Sequence, residues 1–152
     1  MIDLAAIRPD EWGLPLFLHV LGAFTMVGAL VMAASYLFAA RRDGSLELTR
    51  LGYRSLLIGA LPAFLVNRIA AQWLASEEGL DDSEATWITV GYLSTDAGLL
   101  LLIAATVGAG LAVRRAGSAE TPGRGAALAA WLVGALIVIY AVVIWMMATK
   151  PE

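Results

Sequence analysis

The chain has 152 residues, 60% of them hydrophobic, with a mean hydropathy of +0.78 and a formal charge of -3. That is too apolar for a soluble domain, where apolar residues run nearer about 45–50%, and the length allows a single domain over the whole chain. The lack of cysteine excludes disulfides, thiol catalysis, thiolate metal sites and iron–sulfur clusters, and the single histidine, His19, excludes a two-histidine metal site within one copy.

Met1 to Trp12 carries Asp3, Asp10 and Glu11 against Arg8, the reverse of a basic signal n-region, so no cleavable leader is expected. Four apolar runs bounded by charges follow. Each is long enough to cross a bilayer, which takes roughly 20 residues as a helix. They predict helices over about 13–40, 53–76, 85–113 and 126–148. Pro15 suits the first turn of the first helix, where its missing N–H costs nothing, and Pro62 should kink the second. Gly117, Ser118, Pro122, Gly123 and Gly125 form a flexible link before the fourth. The expected fold is all-α: an up-down bundle of four transmembrane helices.

Charge sets the orientation. The first loop holds Arg41, Arg42, Arg50 and Arg54, and the third holds Arg114, Arg115 and Arg124. The second holds Glu77, Glu78, Asp81, Asp82 and Glu84, with no basic residue, and the tails offer only Arg8 and Lys150. Short loops rich in arginine stay in the cytoplasm, so both termini and the acidic loop are expected outside. Trp12, Trp73, Trp87 and Trp145 fall near that outer boundary, as an aromatic belt does. Richness in Ala, Gly, Leu and Arg, with Lys150 the only lysine, has the look of a high-GC bacterial gene, which points to the inner (plasma) membrane.

Two charges remain inside the spans, Arg68 and Asp96. At 1.5 Å per residue they lie ~12 Å and ~15 Å below the outer ends of their helices, a matching depth that predicts a direct pair. Such a pair either fixes helix register or forms part of a proton, ion or ligand site. Asn67 and Gln72 flank Arg68, Tyr92 precedes Asp96 by one turn, and Tyr140 and His19 reach similar levels on the fourth and first helices. The outer half thus collects His19, Asn67, Arg68, Gln72, Tyr92, Asp96 and Tyr140, whereas the inner half is almost purely apolar. That asymmetry predicts an outward-facing polar pocket. His19 reads either as a histidine bonded within the bundle or as a haem or copper ligand; Gly22, one turn below, would let a flat macrocycle approach, and Met146 and Met147 are soft-ligand candidates for a Cu(I)-type site. Small residues four apart (Thr25, Ala29, Ala33; Ala104, Gly108; Ala126, Ala130, Gly134) suit close packing inside the bundle, in a homodimer or against a larger complex.

The run Leu18-His19-Val20-Leu21-Gly22-Ala23, with Gly28 following, resembles the opening of the CopD-like group of small bacterial membrane proteins, and Trp145-Met146-Met147 through Lys150-Pro151 is similar to endings in some of them. The resemblance implies a four-helix membrane fold, and its copper-uptake and haem-linked roles would make His19 a candidate ligand. The chain departs from a haem-type pattern in having no second histidine and in placing Asn67-Arg68 in the second helix. No nucleotide loop, hydrolase triad or other enzyme motif is present, and nothing points to nucleic acid. The reading is a non-enzymatic membrane protein that binds or passes a small ligand, ion or metal. The alternatives are an accessory or structural subunit of a larger membrane complex and a haem-binding redox protein.

Overall fold

A computed structural model describes residues 13–80, 86–116 and 123–149. Expectations placed on the two tails, on Asp81, Asp82 and Glu84, on Gly117, Ser118 and Pro122, and on the Trp87 side chain lie outside the described residues. The described residues contain helix and no strand. The helices are α1 (Gly13–Asp43), α2 (Leu46–Arg54), α3 (Leu61–Glu77), α4 (Thr86–Ala116) and α5 (Gly123–Thr149), with a π-helical segment, Ser55–Ala60, joining α2 to α3. α2, the π segment and α3 form one rod, so four helices are long and apolar enough to cross a membrane: Gly13–Asp43, Leu46–Glu77, Ile88–Ala116 and Gly125–Thr149.

The second span begins seven residues earlier than the hydropathy predicts, and the cause is local. Gly44 takes φ +65 and ends α1, a conformation glycine adopts without a Cβ penalty. Ser45 then caps α2, its hydroxyl accepting from the Leu48 N–H at 3.3 Å. A two-residue turn therefore makes the first two spans antiparallel, and Arg50 and Arg54 lie on helix rather than in a loop. Pro62 sits in the first turn of α3, directly after the π segment, where the Leu61 N–H bonds back to the Leu56 carbonyl. The wider turn accommodates the hydrogen bond that proline cannot donate.

The core runs along α1 as Met26, Leu30, Ala33, Leu37 and Ala40, spaced three and four apart, and it meets matching stripes on the other spans. On α5 the stripe is Ala126, Ala129, Ala130, Val133, Leu136 and Tyr140; on α4 it includes Leu102, Ala105, Ala109 and Ala112. Ala33, Ala126, Ala130 and Gly108 thus pack internally, whereas Thr25 and Ala104 face outward. A Cβ on Gly125 would lie 3.1 Å from the Gly108 carbonyl oxygen, so α4 and α5 nearly touch backbone to backbone where one ends and the other begins. Phe24, Ile58, Ile69 and Leu100 project from the outside of the bundle at 68–76% exposure. A bundle apolar both within and without fits a polytopic protein whose outer surface meets lipid.

The neighbours differ along the molecule. α1 packs against the whole second span and against α5, and α4 packs against α5 along its length. At the end carrying Arg41, Arg42, Arg50, Arg54, Arg114 and Arg115, α2 also packs on α4, with Tyr53 seated over Gly110. At the opposite, acidic end, α3 and α4 hardly touch.

Candidate functional site

The gap between α3 and α4 is a half-open cleft of about 190 Å³ in the acidic half. α1 contributes His19, Ala23 and Met26 to it. α3 contributes Asn67, Arg68 and Ala71, α4 contributes Gly91, Tyr92 and Thr95, and α5 contributes Tyr140, Val143 and Met147. Glu78 and Leu80 stand beyond the end of α3. The lining is mostly apolar with a few convergent polar groups, the usual constitution of a small-molecule site.

Gly22 sets the cleft's depth on one side. A Cβ there would lie 2.8 Å from the Asn67 backbone nitrogen and 2.9 Å from its Cα, so α1 and α3 close together at this level only because residue 22 is glycine. That corrects the expectation of space beside Gly22 for a macrocycle: the Asn67 backbone fills it. The close approach also brings the Asn67 carbonyl to His19. The carbonyl can only accept, so Nδ1 carries the proton and donates to it at 3.4 Å. In the neutral ring Nε2 then keeps its lone pair.

Two polar atoms of the cleft have no hydrogen-bond partner among the described residues although they are buried: Asn67 Oδ1 and the Tyr140 hydroxyl oxygen. Tyr140 is only 6% exposed. Its hydroxyl rests over Gly98, where any side chain would collide with it. Nearer the acidic end the Met147 methyl occupies the equivalent notch at Gly91, 2.6 Å from where a Cβ would stand. Glycines seven residues apart on α4 thus receive side chains seven apart on α5, and that spacing is what places Tyr140 and Met147 on one wall.

The expected Arg68–Asp96 pair does not form. Arg68 donates to Gln72 Oε1 at 3.0 Å and lies over the Tyr92 ring, with its guanidinium carbon 5.2 Å from the centroid. Asp96 is exposed and has no ion-pair partner among the described residues. Depth was matched but azimuth was not. The wall of α4 runs through Ile88, Gly91, Tyr92 and Thr95, and Asp96 falls just past its edge, about 40° beyond Tyr92 and about 100° from Thr95. Thr95, whose hydroxyl bonds back to the Gly91 carbonyl at 2.7 Å, takes the place in the wall expected of Asp96.

Of the residues expected to form the pocket, His19, Asn67, Arg68, Tyr92 and Tyr140 come together here, and Met147 joins them. Gln72 is not part of the lining but accepts from Arg68, and Met146 lies off the cleft. The set His19, Met146 and Met147 is therefore not assembled around one point of this cleft. Among the described residues no group of three His, Cys, Asp or Glu side chains could hold a metal ion.

No known protein family, curated protein or solved structure gives a significant match to the chain.

Proposed function

We propose that the chain is a multi-pass protein of a bacterial inner membrane and that the cleft is a binding site, open at the outer end, for a small uncharged amphipathic ligand. The observation that carries this reading is that two residues lining the cleft, Asn67 and Tyr140, each bury a side-chain oxygen that has no hydrogen-bond partner among the described residues. A buried polar group without a partner costs about 1–3 kcal/mol, and a ligand that supplies the missing hydrogen bonds recovers that cost only when bound. The orientation follows from the arginines gathered at the other end. A reporter fused after Glu152 should be active only in the external compartment; cytoplasmic activity would move the cleft to the inner leaflet.

The binding reading is tested by filling the site. Ala71→Phe projects a ring into the cleft from α3. Ligand-induced thermal stabilisation, screened with neutral amphiphiles on the purified protein, should vanish in this variant while helical content is kept. Binding that survives Ala71→Phe sinks the reading.

Haem is disfavoured by the room available, since the Gly22 face is closed and one imidazole is present. The resemblance to the CopD-like group remains a proposal resting on Leu18–Ala23, and the soft donors it would use at this cleft are His19 and Met147. The subunit reading has one observation of its own, the exposed Asp96 on a membrane span. A carboxylate facing lipid costs about 2.5–3.5 kcal/mol on insertion scales, a cost that a basic group on a neighbouring chain would offset. Under that reading Asp96→Asn releases a co-purifying protein; unchanged composition of the purified material rejects it.

A further inference from the structure

We infer that the arginine end carries a separate site, a groove between α2 and α4 that holds one anionic glycerophospholipid. Its phosphate lies on Arg50, Tyr53 and Arg54, and an acyl chain follows Leu57 and Ile58 into the bilayer.

The groove is lined by Arg50, Tyr53, Arg54, Leu57, Ile58 and Val113. Residues three and four apart share a helix face, so the three polar side chains of α2 stand together. α2 meets α4 through Tyr53, whose ring lies 3.0 Å from where a Cβ on Gly110 would stand. That contact fixes the spacing of the two helices beside the groove.

Charge selects an anion. Two guanidinium forks and a phenol hydroxyl supply N–H and O–H donors, and the planar fork suits two oxygens of one phosphate. Arg50 and Arg54 are exposed and make no ion pair among the described residues. Arg41, Arg42, Arg114 and Arg115 stand at the same end, against the carboxylates Asp43 and Glu47. Such a field attracts a phosphodiester and opposes the ammonium of a zwitterionic head group.

The order of polarity selects a lipid. Arg54 is the last charge on the second span before Arg68, and Val113 is the last apolar residue of α4 before Arg114-Arg115. Both walls therefore pass from charged to apolar at the groove. Arg50 stands one turn, about 6 Å, outward of Arg54. One turn inward, Leu57 and Ile58 are 41% and 72% exposed. A free phosphate ester meets only the charged part and a hydrocarbon only the apolar part, whereas a phospholipid meets both in sequence.

The test is native mass spectrometry of the purified protein in neutral detergent micelles. The probes are phosphatidylglycerol and phosphatidylcholine with identical chains, and glycerol phosphate as a head group without chains. One phosphatidylglycerol should bind at least about tenfold more tightly than phosphatidylcholine. The double variant Arg50→Gln with Arg54→Gln should abolish that preference. Arg114→Gln with Arg115→Gln removes the same charge from the same end but outside the lining, and should keep it. All four side chains are exposed, so helical content should be retained in both. Equal affinity for the two lipids, or equal loss in the two double variants, overturns the inference and leaves a diffuse basic surface. Displacement of the lipid by an equal concentration of glycerol phosphate overturns it in favour of a free phosphate ester.

Discussion

The two halves of the bundle are built from the same four rods yet close differently. In the arginine half, Ala33, Leu37, Leu102, Ala105, Ala109, Ala129, Ala130 and Val133 are fully buried, and every span touches its neighbours. In the acidic half α1 and α3 meet backbone to backbone at the Gly22–Asn67 crossing, and α3 stands away from α4. The difference lies in side chains rather than in backbone. Small apolar residues let helices meet wherever they recur. Arg68 and Tyr92, stacked on each other across the gap, are too bulky to let α3 and α4 meet. Polar residues within the bundle therefore do two jobs: they line the cleft and they hold it open.

Core truncation should separate the halves most sharply. Leu37 is fully buried and fills the notch at Gly52, so Leu37→Ala should cost about 2–5 kcal/mol. Val143→Ala, in the cleft wall, should cost much less, because the cavity it would enlarge already exists. Reversible unfolding in mixed micelles reads both; equal costs would mean the halves are packed alike. Next in size is Gly22→Ala. The added methyl meets backbone, which cannot rotate away, so overpacking of about 1–3 kcal/mol is expected, with loss of the His19–Asn67 hydrogen bond visible in the imidazole NMR shifts. A neutral result would show that the α1–α3 crossing is looser than described. Ser45→Ala removes the cap of α2 in the arginine half and should cost about 1 kcal/mol in the same unfolding measurement. The smallest effect is the most pointed. Tyr140→Phe deletes a hydroxyl with no partner, so without ligand the protein should be unchanged or slightly more stable. Destabilisation would mean that the hydroxyl is already bonded.

Much of the fold was legible because hydropathy reports a helix that crosses lipid directly. Four apolar runs correspond to four helices long and apolar enough to cross a membrane. α2 escaped because its turns, with Glu47, Arg50 and Arg54, are too polar for a hydropathy reading, although Gly44-Ser45 carries the signal of a helix stop followed by a cap. At the site, depth could be counted from a helix end, and His19, Asn67, Arg68, Tyr92 and Tyr140, grouped by depth, line one cleft. Direction around the axis could not, so Asp96 was assigned to a wall that Thr95 occupies. Gly91 and Gly98 were the overlooked signal: two notches seven residues apart on one face of α4 mark where Met147 and Tyr140 dock.

The π segment Ser55–Ala60 has a consequence for this question of direction. A π turn carries one residue more than an α turn, so everything beyond it is rotated by about 100° relative to an unbroken helix. The faces of α2 and α3 are thereby put out of phase. Gly52 turns inward to receive Leu37, and fifteen residues later Asn67 still meets α1 while Arg68 reaches the cleft. Counted at 3.6 residues per turn from Gly52, Arg68 would fall about 160° away, nearly opposite the face that meets α1, and Asn67 about 60° away. The segment works as a phase shifter between the tightly packed half and the half that holds the cleft. Deleting one residue from it would leave composition and span length nearly unaltered, yet would turn the polar surface of α3 out of the cleft.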